Sequence, residues 1–134
     1  MKNNSQSKIL LAVVDEQTLH LLKKRLMLWG RGQDDLLYCE EIEEALKLTE
    51  LHKPSLIVLE DGCCCCGQAL EAIEKLREIH RGVEIIALVW DESDEDVEEM
   101  IPLRGVQVII RDSGGYKPKK LYKAIENALC SFVL

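Results

Sequence analysis

Apolar positions alternate along the chain between short unbroken runs and longer stretches with helical spacing. Ile9 to Val14 is a continuous apolar run, the mark of a strand covered on both faces. From Gln17 to Trp29, the spacing of Leu19, Leu22, Leu26 and Trp29 predicts an amphipathic helix that Gly30 ends. Leu36 to Cys39 predicts a second strand, and Glu41 to His52 a helix turning Ile42, Ala45, Leu46 and Leu48 to the core. Lys53 and Pro54 stop that helix. Leu56 to Leu59 is a third apolar run, expected at the centre of the sheet between strands one and four. Gln68 to His80 carries Leu70, Ile73 and Leu76 at helical spacing, and Val83 to Trp90 reads as strand four. Ser93 to Leu103 predicts a fourth helix, its last turn loosened by Pro102, which has no amide to donate. Val106 to Ile110 is strand five. Pro118 opens a final helix expected to bury Leu121, Ile125, Leu129 and Phe132.

Five strand–helix units with short connections predict an α/β fold. The expected form is a flavodoxin-like (βα)5 three-layer sandwich, with a parallel sheet in the order 2-1-3-4-5. One domain is expected over residues 8–134, behind a disordered segment of residues 1–7. Such sheets hold their sites at the carboxyl ends of the strands. That rule singles out Asp15-Glu16, Glu60-Asp61-Gly62, Val89-Trp90 and Arg111-Asp112 before any motif is considered.

Charge narrows the classes further. The chain of 134 residues carries 17 Lys+Arg against 24 Asp+Glu, a formal net charge of −7. That balance excludes the basic footprint a nucleic-acid or anionic-membrane surface needs. No apolar run approaches the ~20 residues of a membrane span. The polar start from Met1 to Ser7 lacks the features of a signal peptide, so a cytoplasmic location is expected. The 6 cysteines are then expected as thiols.

Four stretches carry a family resemblance. They are Lys8-Ile9-Leu10-Leu11 leading to Asp15-Glu16, Lys53-Pro54-Ser55-Leu56-Ile57-Val58-Leu59-Glu60, Ile85-Ile86-Ala87-Leu88, and Gly105-Val106-Gln107. Together they resemble a response-regulator receiver domain of the CheY-like family, from about Lys8 to Leu129. The resemblance implies two acidic residues after strand one, a phosphoacceptor Asp ending strand three, a hydroxyl ending strand four and a Lys ending strand five. In that chemistry carboxylates hold Mg²⁺ against the incoming phosphoryl group while the Asp attacks in line. The hydroxyl, the Lys and an inward-turning aromatic on strand five then read the acyl phosphate.

Little of that apparatus falls in place here. Val14 stands at the first acidic position and Asp15 at the second. Glu60 is in register with the phosphoacceptor, with Asp61 one residue later. Val89 takes the hydroxyl position and Ile109 the aromatic one. The Lys position falls on Asp112, or on Gly114 when counted back from the last helix, and Lys117-Pro118 matches the start of that helix. So many losses predict a pseudo-receiver: a signalling module of a two-component phosphorelay that works by protein contact without phosphorylation, and not an enzyme. Two alternatives stay open. Asp61 could accept a phosphoryl group with Asp15, Glu16 and Mg²⁺; otherwise no cofactor is expected. Glu60 itself reads either as turn solvation or as a stand-in for the charge of a phosphorylated Asp.

The second alternative is a thiol-based metal or redox sensor at Cys63-Cys64-Cys65-Cys66, bracketed by Gly62 and Gly67. Consecutive ligands do not match structural zinc spacing. Thiolate character would be favoured by the helix amides that begin near Gly67. Cys39 and Cys130 read as core residues. Residues 91–99 are strongly acidic and open helix four, while Lys117, Lys119, Lys120 and Lys123 make the start of helix five basic. The resemblance makes the helix 4–strand 5–helix 5 face the expected contact for a protein partner or a second copy. His20, His52 and His80 form no catalytic constellation.

Overall fold

Parallel pairing of five short strands builds one sheet in the order β2-β1-β3-β4-β5, the order the sequence predicts. The strands are β1 (Ile9–Ala12), β2 (Leu36–Cys39), β3 (Leu56–Glu60), β4 (Glu84–Val89) and β5 (Val106–Ile110). Between them run α1 (Glu16–Leu28), α2 (Ile42–His52), α3 (Ala69–Ile79) and α4 (Asp96–Met100), with α5 (Pro118–Cys130) last. The computed structural model describes residues 8–61, 69–90, 96–112 and 115–130.

Side chains alternate across a strand, so each unbroken apolar run feeds two cores. Leu10, Ala12, Ile57, Leu59, Ile85 and Ala87 face α2, α3 and α4. Ile9, Leu11, Leu56, Val58, Ile86 and Leu88 face α1 and α5. All four residues of Leu56–Leu59 are fully buried, as a central strand requires. Each such side chain contributes roughly 1.5–3 kcal/mol. The register places Ala12 beside Leu59, Glu60 beside Leu88, and Val89 beside Ile110. The chain therefore leaves β1, β3, β4 and β5 along one carboxyl rim.

Boundaries differ from the sequence reading where polar groups intervene. β1 ends at Ala12 instead of running to Val14, because Val14 and Asp15 turn their amides to a side chain, described below. The described part of α4 ends at Met100, short of the expected Leu103. Ile101 still donates to Val97, but Pro102 has no amide, and Leu103 closes a tighter turn onto the Met100 carbonyl. Residues 93–95 and Phe132 lie outside the described residues. On α2 the fully buried positions are Ala45 and Thr49, one turn apart, while Leu46 and Leu48 pack half-buried beside them. Leu129 is likewise half-buried.

Across the α1–α5 face, the Arg25 guanidinium lies between two rings, 4.2 Å from the centroid of Tyr122 and 5.4 Å from that of Trp29. Such stacking links the first and last helices described.

Gly105 begins the turn into β5 with φ at +75°, and an added Cβ would sit 2.6 Å from Nη2 of Arg77. That same nitrogen donates to the Val83 carbonyl at 3.0 Å. Gly105→Ala should therefore lower stability by about 1–2 kcal/mol, chiefly through the left-handed backbone. Urea denaturation of the purified variant checks it, and an unchanged midpoint would contradict this account.

Candidate functional site at the carboxyl rim

Glu60 ends β3 on the face that α1 and α5 cover, and it is fully buried. Three N–H groups meet its carboxylate. Oε1 accepts from the amides of Val14 at 2.7 Å and Asp15 at 3.0 Å, and Oε2 accepts from Nε1 of Trp90 at 3.1 Å. A buried carboxylate is costly unless paired or hydrogen-bonded in this way. Two of the donors also lie at the start of α1, where the helix dipole favours negative charge. The end of β3 thus holds a hydrogen-bonded carboxylate that bridges the ends of β1, β3 and β4.

Asp15 is the N-cap of α1. Its Oδ2 accepts from the Thr18 amide at 3.0 Å and from the Thr18 hydroxyl at 2.6 Å, so its side chain turns back onto its own helix. Glu16 is exposed in the first turn, and Asp61 is half-buried after β3. Among the described residues, no group of three or more His, Cys, Asp or Glu side chains is arranged to hold a metal.

The remaining rim positions split between core and surface. Val89 is buried toward α2–α4 and Ile109 toward α1 and α5. Val14 and Trp90, 38% and 42% exposed, flank the Glu60 carboxylate as apolar surface. The Arg111 guanidinium lies 5.1 Å from the Trp90 ring centroid. Asp112 and Gly115 exchange backbone hydrogen bonds of 3.1 and 3.0 Å, and Lys117 Nζ lies 3.8 Å from Asp112 Oδ2. Gly114 lies outside the described residues, as do Gly62, the four cysteines Cys63 to Cys66, and Gly67.

Three side chains take roles that the sequence does not signal. Thr18 stands three residues after Asp15, a capping spacing visible in hindsight. Trp90 is placed at the rim by the carboxyl-end rule, but nothing in the spacing marks its indole as a donor to Glu60. Tyr116 had no signal beyond preceding Lys117-Pro118. It is 7% exposed, and its hydroxyl is buried without a hydrogen-bond partner among the described residues. Burial pushes its pKa up, with the negative charge of Glu60 adding to the effect.

At the β2 end of the rim, a cleft of about 380 Å³ is lined by Val13, Leu19, Tyr38 and Cys39, with Glu40, Glu41 and Glu44 around it. Burial pushes the Cys39 thiol up to about 12, and the nearby Glu44 charge adds to the rise. His20 lies on α1, His52 ends α2 and His80 follows α3, so the histidines stay apart.

No family model matches the chain, and no curated protein matches its sequence. Likeness appears among solved structures. A response regulator from Hahella chejuensis superposes with a TM-score of 0.70 at 16% identity, over 93% of this chain and 94% of that one. The pseudo-receiver domain of the CikA protein gives 0.55 at 16% identity, over 92% and 98%. A designed Rossmann 2x3 protein gives 0.65 at 14% identity, over 94% and 91%. The chain shares the five-stranded α/β fold of these structures. A designed protein that shares the architecture shows why fold by itself assigns no activity.

Two outcomes follow from this geometry. Glu60→Gln puts an amide NH2 where one of the three N–H groups needs an acceptor, so stability should fall by about 2 kcal/mol and Trp90 emission should shift. Equal stability and emission would mean that the carboxylate does not hold the rim. Stability should also fall as pH rises from about 8 to about 10.5. The unfolded chain releases the Cys39 proton near its ordinary 9.0 while the folded chain keeps it, and Tyr116 acts in the same direction from 10.0 upward. Denaturation midpoints measured across that range check the sign.

Proposed function

We infer that this chain is a receiver-type signalling module of a two-component system that acts by protein–protein contact, independently of phosphorylation. The observation that carries the reading is the Glu60 carboxylate, buried and already bonded to Val14, Asp15 and Trp90. A group so held cannot swing out to attack a phosphodonor without leaving three N–H groups unpaired. Each lost charge-assisted bond costs about 1.5–3 kcal/mol.

The neighbouring positions support the same reading. A phosphate shifts a two-state equilibrium only through contacts that differ between the states. Val89, Ile109 and Asp112 replace the hydroxyl, the aromatic and the Lys that would supply them. The domain therefore holds one state, and signal enters through the abundance of a partner. The contact face is α4–β5–α5. There β5 is an edge strand with Val108 and Ile110 half-buried, and Ile101 is 61% exposed. The net charge of −7 favours a protein partner over nucleic acid. A cytoplasmic setting suits the free thiol of Cys39.

The test is intact-mass analysis after incubation with acetyl phosphate and Mg²⁺, followed by NMR with beryllofluoride and Mg²⁺. No phosphoryl adduct and unchanged signals from Val106 to Arg111 are expected. An adduct on Asp61, or large shifts across β5, would replace this reading with a working phosphoacceptor. Trp90 emission should likewise show no saturation by Mg²⁺ below about millimolar concentration.

A further inference from the structure

Helix α2 turns one apolar side chain outward that its own subunit leaves uncovered. Ala45 and Thr49 are buried beneath the helix, while Leu51 is 74% exposed, the most exposed of the large hydrophobic side chains described. It does not stand alone. Leu46, Leu51 and Ile79 line a groove of about 470 Å³ between α2 and α3, with Lys47 and Glu50 beside them. Leu46 and Ile79 are half-buried, so the walls of the groove are apolar.

The groove is fixed by the chain itself. Lys53 closes α2 in the left-handed conformation, with φ at +47°, and its Nζ donates to the Ile79 carbonyl at 2.7 Å. That bond ties the end of α2 to the end of α3. A surface already shaped before association loses less freedom on binding. Both helix ends lie just before the strands they lead into, β3 and β4, so the groove sits at the amino edge of the sheet, away from the carboxyl rim.

Charge selects the occupant. Lys47 and Glu50 are both exposed, and neither forms an ion pair among the described residues. A two-fold axis perpendicular to α2 sets a second α2 antiparallel to the first. A base followed by an acid then meets an acid followed by a base, so the patch complements itself. Two-fold interfaces have this property: what one residue meets on the other copy, its equivalent meets in return. With the axis level between Lys47 and Glu50, Lys47 of each copy faces Glu50 of the other, and Leu51 faces the groove beside Leu46. Glu43 and Glu44 then lie toward the far end of the opposite helix, where exposed Lys53 supplies the compensating charge.

We propose that the outer face of α2 is a homodimer interface, with the two α2 helices antiparallel and Leu51 of each copy seated in the groove of the other. The interface goes beyond the partner contact at α4–β5–α5 and does not depend on it, since α3 packs between α2 and α4.

Sedimentation equilibrium of the 134-residue chain, from micromolar to near-millimolar concentration, is the test. Dimers should form in the unmodified chain. Lys47→Glu and, separately, Glu50→Lys should each weaken association at least about tenfold, because two like-charge contacts replace two complementary ones. Leu51→Asp should weaken it at least as much by placing a carboxylate in an apolar groove. All three positions are exposed, and circular dichroism verifies that the variants fold. The double variant Lys47→Glu with Glu50→Lys keeps the net charge of the unmodified chain and should dimerise again. An equimolar mixture of the two single charge variants should also recover dimers. A chain monomeric at every concentration would overturn the proposal. So would a dimer indifferent to these changes, a double variant or a mixture that stays monomeric, or growth beyond two copies.

Discussion

A single buried carboxylate organises the carboxyl rim. Glu60 is one methylene longer than aspartate, and that reach lets β3 bond the amides at the start of α1 while also taking the indole of Trp90 after β4. Parallel strands have no turns joining them directly, so their carboxyl ends are held only by the packed helices and by whatever bridges the rim. In a phosphorylatable receiver the family chemistry gives that place to a metal ion and an exchangeable phosphoryl group. Here the Glu60 carboxylate accepts from the amides of Val14 and Asp15. Asp15 is then released to cap α1 through Thr18, and Val14 to face solvent.

The fold was readable because its signals are redundant. Strand order, the central place of Leu56–Leu59 and the helix faces follow from unbroken apolar runs alternating with helical spacing, each repeated five times. The errors fall where one polar or imino group decides. β1 stops at Ala12 because two amides serve Glu60, and the described part of α4 stops at Met100 where Pro102 removes a donor. Thr49 takes a buried place beside Ala45 that a search for leucines passes over.

The site was legible in position but not in chemistry. The carboxyl-end rule placed Asp15, Glu60, Val89, Trp90 and Asp112 at the rim, since the rim follows from where each strand ends. What each side chain bonds depends on contacts far apart in sequence, which spacing does not encode. The indole of Trp90 on Glu60, the turn of Asp15 onto Thr18 and the buried hydroxyl of Tyr116 are of that kind.

The stack of Arg25 between Trp29 and Tyr122 bears on the order in which the chain assembles. It joins α1 to α5, so it closes nearly the whole described chain into one loop. Loop-closure entropy grows only slowly with length, about 0.6 kcal/mol per doubling, yet it must be met before the contact gives anything back. Contacts of such long sequence separation form late and slow folding. The last helix is thus a natural candidate for the first element to detach in partial unfolding, leaving the β1–β3–β4 centre with its bridging carboxylate intact. A chain emerging from the ribosome would hold that centre before it could dock α5.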